Sequence, residues 1–252
     1  LLETYAENFL PIINTPSLAD MLLNVGTGSF ANEAFRKKAY FFNLPLTERF
    51  FSGVSVGKKE TFCLHTFWYL QQRNMYQFAL EAISRAAERG VLSPDTWEIR
   101  YYGAQGGHVP IEFSGGLRTI MLPTLHMEEY AREIRESSLA LYLVLSPHTG
   151  YMPLEATACG LPVIINTYFE QDSDLLRGLS PFIIPARPTL DGVSNALIDT
   201  LAKLETNFEW GERESGSAVP QTWSEAFAPI VPKVVHWLTT ENITNDRTPI
   251  QY

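Results

Sequence analysis

The chain has 252 residues, 45% of them hydrophobic and 12% aromatic, which is enough for a sizeable core in one large or two modest domains. Its net charge of -9 and pI near 5.1 argue against non-specific nucleic-acid binding, which needs a basic footprint, while leaving room for a local basic pocket. Two cysteines and five scattered histidines suggest no metal-ligand cluster, and polar residues interrupt every apolar run before it reaches membrane-spanning length.

The chain opens on Leu1-Leu-Glu3, with no initiator Met and no signal-peptide core, as a processed or cut chain would. Residues 9–15 read as a strand. Pro16 to Asn24 reads as a helix capped by Thr15 or Asn14 and ended at Gly26-Thr-Gly28. A second strand over residues 39–43 leads into the segment 44–51. From residue 60 to 190 a β-α rhythm sets in. Strands are expected at 61–69, 97–103, 118–122, 139–145, 162–166 and 181–184. Helices are expected at 74–89, 126–136, 153–159 and 171–177. Alternation of this kind implies an α/β fold with a Rossmann-like, doubly wound parallel sheet. Such sheets bind ligands outside the carboxyl ends of their strands, so the loops after Tyr69, Gly103, Pro123 and Leu145 should converge. An amphipathic helix over 188–206 and a polar loop over 210–220 come next. Trp223 to Leu238 reads as a closing helix that Pro229 and Pro232 break or kink, and the tail after Thr240 reads as frayed. Cys63 and Cys159 lie in apolar surroundings and read as reduced core residues.

One segment carries most of the chemistry: Ser146-Pro-His-Thr-Gly-Tyr-Met-Pro-Leu-Glu155-Ala-Thr-Ala-Cys-Gly160-Leu-Pro-Val-Ile-Ile-Asn166. It follows the apolar run 139–145, a buried parallel strand by composition. A loop with Thr149, Gly150 and Tyr151 leads into a short helix opened by Pro153, and Gly160 sits where that helix stops. Strand, Gly-containing loop and helix N-terminus form a phosphate cradle, because free N–H groups and the helix dipole favour an anion there. Glu155 lies in the first turn of this helix. It is either a binding group or simply a Glu favoured by the dipole.

Arg73 opens helix 74–89. A cation is disfavoured at that end of a helix, so an anionic ligand accounts for it better than packing does. A guanidinium suits a diphosphate because it is always charged and reaches two phosphate oxygens at once. Asn74 is either a helix cap or a contact. Gly103 either lets a base or ribose approach the backbone or is an ordinary turn glycine, like Gly106 and Gly107. No Ser-His-Asp or Cys-His arrangement, GxGxxG string or P-loop is legible.

Met152-Pro-Leu-Glu-Ala-Thr-Ala-Cys-Gly-Leu-Pro-Val-Ile164 resembles the donor-binding signature of retaining glycosyltransferases with the GT-B fold. Arg73-Asn-Met-Tyr-Gln-Phe-Ala-Leu-Glu-Ala82 and Leu145-Ser-Pro-His-Thr-Gly-Tyr-Met-Pro-Leu-Glu155 resemble, within that group, bacterial rhamnosyltransferases that build surface-layer glycans and other rhamnose-containing polysaccharides. The likeness covers roughly residues 60 to 190. The broad family carries two glutamates eight positions apart. Here Pro147 stands eight before Glu155, followed by His148, and the rhamnosyl subgroup shares this Ser-Pro-His version.

The resemblance implies that Glu155 binds ribose hydroxyls, that the loop before it holds the diphosphate, that Arg73 also faces the diphosphate and that His148 faces diphosphate or sugar. The donor-binding set is then Arg73, Asn74, Gly103, Ser146, His148, Thr149, Gly150, Tyr151 and Glu155, with no catalytic residue assigned. The substrate would be a nucleoside-diphosphate sugar, dTDP-L-rhamnose by expectation, and the acceptor a glycan or polysaccharide. No resident cofactor, metal or nucleic acid enters. Residues 1–50 correspond to the last β-α unit of an N-terminal domain plus linker, 51–208 to the donor-binding domain, and 209–252 to a polar loop, closing helix and tail. Another domain or chain would complete the cleft, so the chain by itself would be inactive. The expected location is cytoplasmic, peripheral at the inner face of the cell membrane. A non-catalytic interaction module and a nucleotide-sugar epimerase of the same architecture are the two alternatives.

Overall fold

The computed structural model describes residues 9–26, 28–46, 50, 62–67, 73–102, 110–169, 171–206 and 220–240. In chain order the elements are β1 (Ile12–Asn14), α1 (Pro16–Val25), a 3-10 turn (Gly28–Ala31), α2 (Glu33–Lys37), β2 (Tyr40–Phe42), β3 (Phe62–Phe67), α3 (Tyr76–Glu88), β4 (Trp97–Tyr102) and β5 (Thr119–Met121). They continue with α4 (Met127–Glu136), β6 (Leu139–Tyr142), α5 (Tyr151–Ala158), β7 (Val163–Asn166), α6 (Ser173–Leu179), β8 (Ile183–Ala186), α7 (Leu190–Thr206), α8 (Trp223–Phe227) and α9 (Val231–Thr240). Two compact units result, Leu1–Pro45 with Val219–Tyr252, and Leu46–Ala218.

In the first unit β1 and β2 pair in parallel, with Ile12 opposite Tyr40. Gly26, at φ 65, ends α1 in the left-handed conformation that glycine adopts without strain. The short α2 was not foreseen. Asn32 starts it by accepting the Phe35 N–H at 3.2 Å. The ring of Phe42 packs on Phe227 of α8 at 4.7 Å, and the Lys233 ammonium of α9 lies 4.6 Å from the Tyr40 ring centre. The expected closing helix is broken in two, with Pro229 in the intervening turn.

The second unit holds a six-stranded, wholly parallel sheet in the order β5-β4-β3-β6-β7-β8. This is the doubly wound α/β sheet expected from the β-α rhythm. Both faces are covered, as adjacent residues of β7 demonstrate. Ile164 joins an apolar cluster with Ile83 of α3 and Leu197 and Leu201 of α7. Ile165 points the other way and packs with Leu176 of α6 and Ile183. The sequence order reverses between β3 and β6. Such a reversal opens a crevice at the carboxyl ends of the two strands.

Three of the boundaries that differ from expectation have clear local reasons. Strand β6 ends at Tyr142 rather than 145, because the Asn166 side chain takes over both backbone groups of Val144. Helix α6 starts at Ser173 rather than 171, because Asp172 caps it by accepting the N–H groups of Asp174 and Leu175. Strand β8 spans Ile183–Ala186 rather than 181–184, following a turn in which the Ile183 N–H donates to the Ser180 carbonyl oxygen. Cys63 and Cys159 are buried and not joined in a disulfide, and burial pushes the Cys159 thiol up to about 12.

Candidate functional site

The switch point between β3 and β6 is where Arg73 and the loop 143–150 meet. Arg73 comes off β3 and the loop 143–150 comes off β6. The Leu145 N–H donates to the Arg73 carbonyl oxygen at 2.7 Å, so the two connections are joined at the crevice. Arg73 is exposed, three residues before α3 starts. Burial raises the Tyr142 titration and lowers that of His148; the Arg73 guanidinium is close enough to offset part of the first and add to the second. Helix α3 is capped at Met75, so the capping role considered for Asn74 falls one residue later.

The loop after β6 is held by its own side chains. The Ser146 hydroxyl accepts the His148 N–H at 3.2 Å. Nδ1 of His148 accepts the Gly150 N–H at 2.8 Å. Burial, with Arg73 adding to it, lowers the His148 titration below its ordinary value. The imidazole is therefore neutral at pH 7, and with Nδ1 accepting, its proton sits on Nε2. It offers a neutral donor to a ligand, not a cation. Thr149 is 2% exposed, and its hydroxyl donates to Gln171 Oε1 at 2.9 Å, so its side chain anchors the loop.

Helix α5 starts at Tyr151, two residues before the expected opening at Pro153, with Gly150 as its cap at φ 79. Pro153 is then the third helical residue, where its missing N–H still costs no helical bond. The N–H groups of Tyr151 and Met152 precede the first intrahelical bonds and carry the positive end of the dipole. Glu155 falls in the second turn, not the first. A dipole-favoured first-turn Glu therefore does not explain it.

Glu155 is half-buried and accepts the Tyr130 hydroxyl of α4 on Oε2 at 2.7 Å. Burial pushes its carboxyl up to about 7. Tyr142, at the end of β6, has its titration raised by burial and feels Arg73 and Glu155 with opposite sign. Tyr142, Tyr130, Gln171 and Asn166 were all missed from sequence. The tyrosines look like core aromatics in an apolar run and a helix. The two amides sit at a strand end and in a turn, where polar residues are common.

Residues 103–109, Gly103 among them, lie outside the described residues, as do residues 68–72. The loop after Pro123 leads into α4, whose Tyr130 reaches Glu155. Among the described residues no group of three or more His, Cys, Asp or Glu could hold a metal, and no helix is long and apolar enough to cross a membrane.

Gly150 is fixed by sterics. An added Cβ would lie 2.8 Å from Tyr142 Oη, on a backbone at φ +79. Gly150→Ala is expected to cost about 1–3 kcal/mol in urea denaturation. Adding Tyr142→Phe should restore the clash component and leave the backbone component. Full wild-type stability of the single variant would contradict this geometry.

Fold and strand order are similar to those of GT-B glycosyltransferase domains. Among solved structures, sucrose-phosphate synthase from Thermosynechococcus elongatus has a TM-score of 0.61 at 14% identity, over 90% of this chain and 58% of that one. TarM has a TM-score of 0.57 at 11% identity, over 95% of this chain and 45% of that one. The pneumococcal O-GlcNAc transferase GtfA, solved with UDP and GlcNAc, has a TM-score of 0.50 at 17% identity, over 77% of this chain and 38% of that one. The chain belongs to the family described as WsaF, C-terminal domain, whose model matches residues 69–198. It is also 25% identical over 222 residues to the O-antigen biosynthesis protein RfbC of Myxococcus xanthus, covering 81% of this chain. The chain spans 15% of the length of that curated relative.

Proposed function

We propose that residues 51–208 bind a nucleoside-diphosphate sugar at the β3/β6 switch point, as the donor-binding part of a glycosyltransferase. The sugar transferred is L-rhamnose from dTDP-L-rhamnose, and the acceptor is a bacterial surface polysaccharide or glycan. One observation carries the reading. Arg73 and the 146–150 loop are joined at the switch point by the Leu145–Arg73 hydrogen bond, with Glu155 close by on α5. The family match, the O-antigen relative and the UDP-bound GtfA support the same reading.

The chemistry follows from charge. A departing nucleoside diphosphate gains negative charge at its bridging oxygen. Arg73, the free N–H groups that open α5 and the Nε2–H of His148 are donors suited to that charge. They do so without a metal in this proposal. Glu155 takes a hydroxyl of the nucleoside pentose and fixes the depth of the donor. Transfer with retention is the expectation carried over from the resembling enzymes.

The test compares thermal shifts and calorimetry for dTDP-L-rhamnose, dTDP, thymidine and other nucleotide-sugars. A rise in Tm with dTDP-L-rhamnose above that with UDP- or GDP-sugars is the expected result. Arg73→Ala should weaken dTDP binding at least roughly tenfold, the loss of one charge-assisted contact, and leave thymidine binding nearly unchanged. Equal losses for both ligands would mean that Arg73 acts through structure alone. No binding of any nucleotide would overturn the functional reading.

A further inference from the structure

Glu155 does not present two equivalent oxygens. Oε2 is occupied by the Tyr130 hydroxyl at 2.7 Å. The phenol is held in place from behind, its ring meeting Phe50 edge-on at 5.8 Å between centres. It projects from α4, a ten-residue helix whose Ala131 and Ile134 are fully buried, so the hydroxyl is presented on a rigid element. Oε1 makes no hydrogen bond among the described residues and is not a buried orphan. It is the oxygen left for a ligand.

A carboxylate that grips the vicinal diol of a ribose offers one oxygen to each hydroxyl. A carboxylate oxygen has two lone pairs, so a second pentose hydroxyl would have to share Oε2 with the phenol in poorer geometry, and a poorly paired hydroxyl in a half-buried site carries a desolvation cost. A pentose lacking that hydroxyl carries none. Selection therefore comes from what the protein already holds and not from a steric wall. Resting on the donor-site reading above, we propose that Tyr130 is a specificity-positioning residue: by occupying one Glu155 oxygen, it adapts the site to 2'-deoxyribonucleoside diphosphates over ribonucleoside diphosphates.

The protonation of the carboxyl fits this arrangement. Burial pushes its titration up to about 7, so at pH 8, where the titrations below are run, Glu155 is the acceptor with or without its phenol partner. Tyr130→Phe removes that partner but keeps the ring and its contact with Phe50. The freed Oε2 can then accept a 2'-hydroxyl.

The experiment is calorimetric titration of the chain at pH 8 with UDP and dUDP, which share a base and differ only in the 2'-hydroxyl, so base recognition cancels in the ratio. Wild type is expected to bind dUDP at least as tightly as UDP. Tyr130→Phe should move the ratio of the two affinities toward UDP by about fivefold or more, the scale of one hydrogen bond to a charged acceptor. A merely structural role would weaken both nucleotides together and leave the ratio where it was, which would overturn the proposal. Wild type binding UDP more than tenfold tighter than dUDP overturns it without any variant. If neither nucleotide binds and dTDP does not either, the donor-site reading fails and this inference falls with it. Binding of both with an unchanged ratio sinks this inference alone.

Discussion

Glu155→Ala is expected to weaken nucleotide binding at least roughly tenfold while leaving the domain folded. A hydrogen bond to a charged group is worth about 1.5–3 kcal/mol, and each 1.4 kcal/mol is a factor of ten in affinity. The companion variant, Glu155→Gln, separates binding from stability. The folded-state carboxyl titrates at about 7, against an ordinary value of 4.5. The folded state therefore holds its proton more tightly than the unfolded state does. Stability from this group is fully present below pH 4.5, falls as pH rises and is lost above about 7. Glutamine carries no proton to lose. Glu155→Gln should match wild type near pH 4 and exceed it above pH 8 by an amount on the order of 3 kcal/mol. It should also bind nucleotide poorly at both pH values. Thermal melts across that range, read beside calorimetry, decide the matter. A Gln variant no more stable than wild type at pH 8 would mean that Glu155 is not held in a desolvated site. Unchanged nucleotide affinity in Glu155→Ala would remove it from the donor site.

This pattern, a group that costs stability where it is ionised, fits a residue kept for binding and not for folding. It also indicates which parts of the chain the sequence reveals. The sheet was legible because stretches such as 139–145 and 162–166 are short apolar runs, while 74–89 and 126–136 are longer and periodic. Parallel pairing buries both faces, so Val163-Ile-Ile165 shows no alternation, and the structure puts Ile164 and Ile165 in different clusters. Arg73 and the 146–160 segment were legible because a cation before a helix and a Gly-Tyr-Met-Pro string have few structural explanations. What escaped was everything that depends on a side chain reaching across the fold. Tyr130 is 25 positions before Glu155, and nothing local distinguishes its phenol from any other half-buried tyrosine. The helix start at Tyr151 escaped because Pro153 tolerates more than one early position in a helix, and Gly150's positive φ is what selects the earlier one. The end of β6 escaped because the apolar run continues to Leu145 although the ladder stops at Tyr142.

That last discrepancy leads to the other large effect expected. Asn166 is fully buried at the end of β7, and its amide replaces the missing rungs of the ladder. Its Oδ1 accepts the Val144 N–H at 2.7 Å. Its Nδ2 donates to the carbonyl oxygens of Val144 at 2.9 Å and Thr167 at 3.1 Å. Val144 is 3% exposed, so water cannot take over when the amide is removed. Asn166→Ala should therefore strand buried backbone groups and cost roughly 3–5 kcal/mol, with each stranded group worth about 1–3 kcal/mol. Because Val144 is followed by the residue that bonds to Arg73, nucleotide affinity should fall with the loop's order. Asn166→Asp tests the arrangement more closely. An aspartate keeps the acceptor for the Val144 N–H but sets a buried negative charge against two carbonyl oxygens. Its folded-state titration should rise above the ordinary value, and its protonated form can donate to one carbonyl. The Asp variant should thus be crippled at pH 8 and recover part of its stability toward pH 4, measured against wild type at each pH. A deficit that stays constant with pH, or an alanine variant as stable as wild type, would show that the loop before the donor site is not held by this amide.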